Sequence, residues 1–245
     1  MNYKEIIKKL DNNKLPKHIG VIMDGNGRWA NKQGAIRLWG HKHGVESVRA
    51  IVEASVEVGI KYLTIYAFST ENWTRPEDEV KGLLKLILDS LIKEVDALNK
   101  QNIIVRFLGT DLGLSDEYKQ KIEKECEKTY TNNGLNFNIA FNYGGRLELL
   151  EGIKTIAKQI QENKISLSDI DESIVSSVLY TSGMPDPDLI IRTSGEQRLS
   201  NFLIWQSAYA EFYFTDVLWP DFRKKDFVKA ILEYQNRQRR YGGSK

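Results

Sequence analysis

The stretch HIGVIMDGNGRW (18–29) decides how the rest of the chain is read. It opens as an apolar, β-branched run of strand length and breaks at Asp24-Gly25-Asn26-Gly27, a group of residues that favours a tight turn. An apolar strand that runs into a glycine-bearing polar turn, with helical spacing to follow, is the unit of a buried parallel sheet. The same unit recurs along the chain. After the strand at 18–23, runs at 61–68, 102–109, 135–142, 188–193 and 210–217 read as strands, and 41–58, 77–100, 115–131, 145–162, 168–180 and 223–240 carry helical patterns. The alternation predicts one α/β domain over 1–245, with a central, mostly parallel six-stranded sheet flanked by helices and residues 1–16 as a peripheral segment.

Composition narrows the function. The 245 residues carry 35 Lys+Arg against 33 Asp+Glu, a formal net charge of +2, so there is no bulk case for nucleic-acid binding and any phosphate-binding surface must be local. No apolar run reaches the ~18 residues of a membrane span, and the first residues are too polar for a signal peptide. The single Cys126 excludes an internal disulfide, makes a zinc cluster unexpected and suits a reducing cytoplasm.

The unusual residues gather where the strands end. The second strand leads into Ser69-Thr70-Glu71-Asn72-Trp73-Thr74-Arg75, the fourth into Asn142-Tyr143-Gly144-Gly145-Arg146, and the fifth into Arg192-Thr193-Ser194-Gly195-Glu196. In open α/β sheets ligands bind outside the carboxyl ends of the strands, so these turns and Asp24–Arg28 would meet on one rim. Taken alone, Asp24-Gly25-Asn26-Gly27 is also a common tight turn, and it matches neither nucleotide-binding glycine motif. Its glycines would let backbone N–H groups face an anion, and a carboxylate beside that anion calls for a bridging cation; Mg²⁺ fits, with one or two protein carboxylates and substrate phosphates completing its shell. Arg28, Arg37, Arg75, Arg146, Arg192 and Arg198 supply bidentate forks for phosphate, enough for two diphosphates of roughly three charges each.

The pattern at 77–100 has an apolar face wider than one stripe: Leu83, Leu84, Leu86, Ile87, Leu88, Leu91, Ile92, Val95 and Leu98. Packing against the sheet explains such a face, and so does an apolar channel leading away from the rim. Of the three histidines, His18 heads a strand and reads as structural, while His41 and His43 cannot share a helix face, which argues against a zinc pair and leaves one of them to meet phosphate. No nucleophile–base pair stands out. The basic run Arg237–Arg240 reads as a solvated helix end.

HIGVIMDGNGRWA (18–30), GHKHG (40–44), YAFSTENWTRP (66–76), FNYGGR (141–146), IRTSGEQRLSNFLIWQ (191–206) and YAEFYFTDVLWPDF (209–222) together resemble the cis-prenyltransferases, over about residues 17–243. The resemblance implies a homodimeric, Mg²⁺-dependent enzyme with a hydrophobic tunnel. It would add isopentenyl diphosphate repeatedly to an allylic diphosphate, usually farnesyl diphosphate, to give a long polyprenyl diphosphate of about undecaprenyl length for cell-wall synthesis. By the same resemblance Asp24 is the catalytic, metal-binding aspartate, and Gly25, Asn26, Gly27, Arg28, Arg37 and His41 form the allylic-diphosphate pocket. Arg75 and the turn residues Ser69, Thr70 and Glu71 lie near the substrates, with Ser69 and Asn72 assisting proton removal. Arg192, Arg198 and Ser200 clamp isopentenyl diphosphate, and Glu211 is a second metal carboxylate from its own chain or a partner. Trp29 and Trp73 would flank the hydrocarbon, with plain aromatic packing as the alternative.

Two positions depart from the pattern: Gln197 where some members have His, and Ser194 where some have Gly, the latter a change a turn can tolerate. Arg240-Tyr241-Gly242 resembles an element that crosses a dimer interface in relatives. The expected setting is cytoplasmic, with peripheral membrane association through the lipid product. A non-catalytic subunit of a two-component prenyltransferase, a phosphohydrolase, and a short- or medium-chain synthase are the other readings.

Overall fold

The computed structural model describes residues 2–238, so the Arg240-Tyr241-Gly242 element lies outside the described residues. Six strands, β1 (His18–Ile22), β2 (Tyr62–Ser69), β3 (Ile104–Leu108), β4 (Asn136–Tyr143), β5 (Leu189–Arg192) and β6 (Glu211–Phe214), form one sheet in the order β3-β4-β2-β1-β5-β6. Every neighbouring pair is parallel, which sharpens the "mostly parallel" expectation. β1 lies in the middle, and all of its residues are buried. That is why its sequence is continuously apolar rather than alternating.

The helices cover both faces, and they connect the strands as α1 (Tyr3–Ile7), α2 (Asn26–Lys32), α3 (Arg37–Val58), α4 (Glu77–Lys100), α5 (Asp116–Glu127), α6 (Gly145–Gln161), α7 (Glu172–Ser177) and α8 (Lys224–Gln235). The helical pattern expected from 41 begins at Arg37, and a separate short helix, α2, follows the first turn. β6 stops at Phe214, short of the expected 217, because the chain there turns to meet the loop after β5, through Ser194 N–H to the Val217 carbonyl and Gly195 N–H to the Thr215 carbonyl.

The segment expected to be peripheral, 1–16, is docked over its described part. Ile6 is buried in the main core, the Tyr3 hydroxyl donates to Glu57 at 2.6 Å, and Asp11 and Gln235 exchange two hydrogen bonds. The apolar positions Tyr3, Ile6, Ile7 and Leu10 give the segment a face to bury.

His18 is structural, as its strand position suggests. Its ring is fully buried, with Nδ1 2.7 Å from the Pro185 carbonyl and Nε2 2.7 Å from the Thr64 hydroxyl. Burial lowers its pKa to about 4, against smaller upward contributions from the Pro185 contact and Asp188.

Candidate active site

The rim forms because β1 and β5 end level with each other, β2 and β4 end together beyond them at Ser69 and Tyr143, and each hands over to a polar turn on the same side of the sheet. After β1 the chain reverses through Gly25 at φ 104°, where a Cβ would lie 2.9 Å from the Ser194 Cβ. Glycine is therefore required twice, for conformation and for space. α2 then starts without a side-chain cap, which leaves its first-turn N–H groups open to an anion. The Asn26 side chain is buried and donates to the Met23 carbonyl at 3.1 Å, while its Oδ1 has no hydrogen-bond partner.

Asp24 sits between two of the predicted arginines. Arg192 donates to one carboxylate oxygen at 3.0 Å, Arg28 lies 3.5 Å from the other, and that second oxygen accepts the Gly25 N–H at 2.7 Å. Burial alone would raise the Asp24 pKa, but the Arg192 hydrogen bond and charge, the Gly25 amide and Arg28 outweigh it and hold the group below the ordinary carboxylate range. Arg192 is nearly fully buried and also donates to the Ser200 hydroxyl at 2.7 Å and to the Arg198 carbonyl. One guanidinium thus fixes Asp24 and the loop that carries Arg198 and Ser200.

Of the remaining predicted phosphate forks, Arg75, Arg37, Arg28 and Arg198 are each held by a carboxylate whose role the sequence did not disclose. Glu79 lies 3.0 Å from Arg75 and 3.6 Å from Arg37; Glu196 lies 3.2 Å from Arg28 and also pairs with Arg198. The four-residue spacing of Arg75 and Glu79 across a helix start was the available signal. Ser194 is more than a tolerated change. It adopts φ 77°, a region that favours glycine, and its carbonyl and hydroxyl both accept from the Arg28 guanidinium, with the carbonyl contact at 2.9 Å. The hydroxyl gives the strained position a use that glycine would lack.

On the β2 turn, Ser69 and Asn72 cap each other, with the Ser69 N–H donating to Asn72 Oδ1 at 3.1 Å. Thr70 contacts Glu71, and Glu71 accepts from Asn201 Nδ2 at 2.7 Å, tying this turn to the loop after β5. Arg146 is exposed in the first turn of α6, where its backbone N–H donates to Asn201 Oδ1 at 2.8 Å.

Below the rim lies a cavity of about 350 Å³ between α3, α4 and the sheet. Met23, Asn26 and His41 line its rim end; Val48, Val52, Ile65, Ile139, Leu83, Ile87 and Leu91 form its walls; Leu98 and Phe137 lie at its far end. From Leu83 to Leu98 the wall of α4 runs about 22 Å. Both expectations for this helix hold in part: Leu83, Leu86, Ile87, Leu91 and Leu98 line the cavity, while Val95 is fully buried in the core. Opposite, Gly44 of α3 lets the helix close on the first turn, since a Cβ there would lie 2.5 Å from Asn26 Oδ1.

His41 is the histidine that faces the rim. Burial lowers its pKa to about 4, with Arg75 and Arg37 adding to the shift and Glu79 opposing it, so the ring is neutral at neutral pH. His43 instead packs against Trp39 and Trp29. Neither Trp29 nor Trp73 lines the cavity, and both show the plain aromatic packing that the sequence left as the alternative. Trp29 stacks on Trp39 and donates to Asp221 at 2.8 Å; Trp73 packs edge-on against Phe68 and donates to Asn142 at 2.7 Å. Indole N–H groups seek partners, and these partners hold the rings outside the cavity.

Glu211 does not join Asp24 within one chain. It opens β6 in register with Leu189, which pairs with Ile19, five residues and roughly 16 Å before Asp24 along the strand direction. There it pairs with Arg237 at 2.9 Å. Among the described residues no cluster of three or more His, Cys, Asp or Glu could cage a metal ion. The lone ionised Asp24 beside an anion site fits Mg²⁺ completed by substrate phosphates and water, and does not fit a structural zinc. Burial pushes the Cys126 thiol up to about 11, which accords with an inert cysteine.

Paired arginines around one carboxylate, set at the mouth of an apolar cavity on a parallel α/β sheet, define a protein built for an anionic head and a hydrocarbon tail. The sequence model of the prenyltransferase family described as "Putative undecaprenyl diphosphate synthase" matches residues 22–242, and the chain belongs to that family. It is 52% identical over 232 residues to the isoprenyl transferase of Clostridium perfringens, covering 95% of this chain and 92% of that protein. It is 49% identical over 236 residues to the farnesyl-diphosphate-specific ditrans,polycis-undecaprenyl-diphosphate synthase of Pasteurella multocida, covering 96% and 98%. Among solved structures, lavandulyl diphosphate synthase from Lavandula x intermedia, in complex with dimethylallyl diphosphate, matches with TM-score 0.91 and 35% identity over 94% of this chain and 100% of that one. A "probable undecaprenyl diphosphate synthase" from Campylobacter jejuni matches with TM-score 0.77 and 34% identity over 93% and 99%.

Proposed function

We propose that this chain elongates an allylic diphosphate, with farnesyl diphosphate as primer, by successive cis additions of isopentenyl diphosphate, to a polyprenyl diphosphate of undecaprenyl length used as a carrier-lipid precursor for cell-wall synthesis. The observation that carries the reading is the position of the arginine rim directly over the apolar cavity. The names of the Clostridium and Pasteurella relatives support it.

In each cycle the bond between the allylic carbon and the diphosphate oxygen breaks, that carbon bonds to C4 of isopentenyl diphosphate, and a proton leaves the new unit. Gly25, Asn26, Gly27, Arg28, Arg37, His41 and Arg75 bind the allylic diphosphate, with its tail entering the cavity. Arg192, Arg198 and Ser200 bind the incoming isopentenyl diphosphate. Binding replaces the carboxylates of Glu79 and Glu196 with phosphate oxygens, which form stronger bidentate pairs with the same forks. The arginines then stabilise charge that develops on the departing diphosphate. Ser69 and Asn72, which cap each other on the turn after β2, are assigned to proton removal. Mg²⁺ held at Asp24 would supply further neutralisation of the leaving diphosphate.

A homodimer accords with the Glu211 geometry, since that carboxylate would reach a metal only in another copy's site. No helix among the described residues is long and apolar enough to cross a membrane, so contact with lipid would be peripheral. The non-catalytic reading is disfavoured by the intact connections among Asp24, Arg192, Arg198 and Ser200.

The test is incubation with farnesyl diphosphate, isopentenyl diphosphate and Mg²⁺, with products sized by mass spectrometry. A ladder ending near undecaprenyl diphosphate is expected. A short terminal product would favour the short-chain reading, to which the shape match with lavandulyl diphosphate synthase lends support. Absence of chain growth would overturn both.

A further inference from the structure

The apolar cavity has one anomaly in its wall. Arg49 of α3 and Glu94 of α4 both line it and face each other across the gap between the helices. Arg49 Nη2 lies 2.7 Å from Glu94 Oε1 and Nε 3.3 Å from Oε2, so the guanidinium grips the carboxylate with two bonds; Nη1 is held 2.7 Å from Glu46. The side chains are 36% and 25% exposed, so the pair is partly screened from water. Among the described residues the other ion pair between these helices is Arg37–Glu79, at 3.6 Å on the rim. The two helices are thus tied at the mouth and again about 16 Å below Leu83, measured along α4 to Glu94.

The size of the cavity gives this tie a consequence. A methylene fills about as much space as a water molecule, ~30 Å³, so 350 Å³ corresponds to about a dozen carbons, fewer than a farnesyl tail carries and far fewer than an undecaprenyl chain. A longer tail therefore needs room that a wider spacing of α3 and α4 would supply. The sheet cannot yield, because its parallel strands are hydrogen-bonded throughout. The helices are joined at this level by side chains, and although the cavity continues past it to Leu98, the fork of Arg49 holds their spacing there.

We propose that the Arg49–Glu94 pair is a chain-length determinant, a latch that resists separation of α3 and α4 and so helps set where elongation stops. This inference rests on the elongating activity proposed above. Glu94→Gln and Arg49→Gln should each raise the fraction of product longer than the wild-type terminal species roughly fivefold, the upper range for a partly exposed ion pair. The double variant should go no further than either single change, since both remove the same interaction. Arg49→Lys keeps the charge and loses the fork, so it should fall between wild type and Arg49→Gln. Product ladders from farnesyl and isopentenyl diphosphates, measured beside thermal melts, decide the matter. An unchanged ladder in the Gln variants, whatever their melting temperature, overturns the latch and leaves the synthase reading standing. If wild type itself fails to elongate, the synthase reading falls, and the latch with it.

Discussion

At the rim, Asp24, Glu79 and Glu196 hold the guanidinium groups of Arg28, Arg37, Arg75, Arg192 and Arg198 on turns between strands and helices, whereas the cavity wall below is mostly aliphatic side chains from the middles of α3 and α4. The rim is a set of specific distances, and moving one group spoils it. The wall is a shape, and its contribution is spread over many weak contacts. Rim substitutions should therefore change rate and affinity steeply, and wall substitutions should change which product forms.

The largest effect is expected at Asp24. Asp24→Asn keeps an acceptor for only one of Arg192 and Gly25 and removes the charge, so turnover should fall about a thousandfold with a modest loss of stability. Asp24→Ala should lose about 2–4 kcal/mol of stability, because it removes both the counter-charge and every acceptor that Asp24 offers the buried Arg192 and the Gly25 N–H. Steady-state assays and urea titrations read both. Retained turnover in the Asn variant would show that the rim does not depend on this carboxylate.

Next in size is Arg192→Lys. One guanidinium reaches Asp24, Ser200 and the Arg198 carbonyl, a span that an ammonium cannot reproduce. The KM for isopentenyl diphosphate should rise about a hundredfold, with a smaller change for the allylic substrate. Equal rises for both substrates would break the division of the rim into two pockets.

The same contrast explains what the sequence disclosed. Asp24, Arg28 and Arg192 were legible because a strand ending in a polar, glycine-bearing turn encodes its chemistry locally, while Ser200 came only with the family resemblance. Glu79 and Glu196 were not, because a carboxylate four or two residues from an arginine looks like any solvated pair until the fold brings other arginines to it. The apolar face of α4 was visible as excess hydrophobicity, yet whether each of its side chains meets protein or empty space depends on how far α3 stands off. Ile87 lines the cavity, while Val95, about two turns on, is packed in the core. Which copy's site Glu211 could serve was illegible for a related reason: a motif match carries no register, and the register puts this residue at the opposite end of its strand from its own chain's rim.

The histidines offer a probe of both regions. His18 and His41 each have a folded pKa near 4 against 6.5 for the free side chain. The unfolded chain therefore binds more protons between pH 6.5 and 4, and stability should be full above pH 6.5 and lost as pH falls through that window. For His18 the loss by pH 5.5 should be about 1 kcal/mol, roughly a tenfold or smaller change in the folding constant. Urea unfolding at pH 7 and 5.5 measures the sum, and NMR titration separates the rings. A bound diphosphate near Arg37 and Arg75 should raise the pKa of His41 and leave that of His18, which is capped by Pro185 and Thr64, where it is. Parallel shifts in the two would contradict a local rim.

The smallest change in rate, and the sharpest contrast with Asp24, is expected at Ser90. This side chain lines the cavity on α4, between the apolar positions Ile87 and Leu91. Ser90→Phe would place a ring in the path of the tail while leaving every rim contact in place. The first condensation should keep its kcat/KM within about twofold to threefold, since a primer tail gains apolar contact as it loses room. The product ladder should nevertheless stop earlier, because the added ring takes volume that a growing tail needs. A slower first step with an unchanged ladder would mean that the cavity serves primer binding alone. In that case the growing chain must leave the protein by another route, and the wall would cease to be the counterpart of the rim.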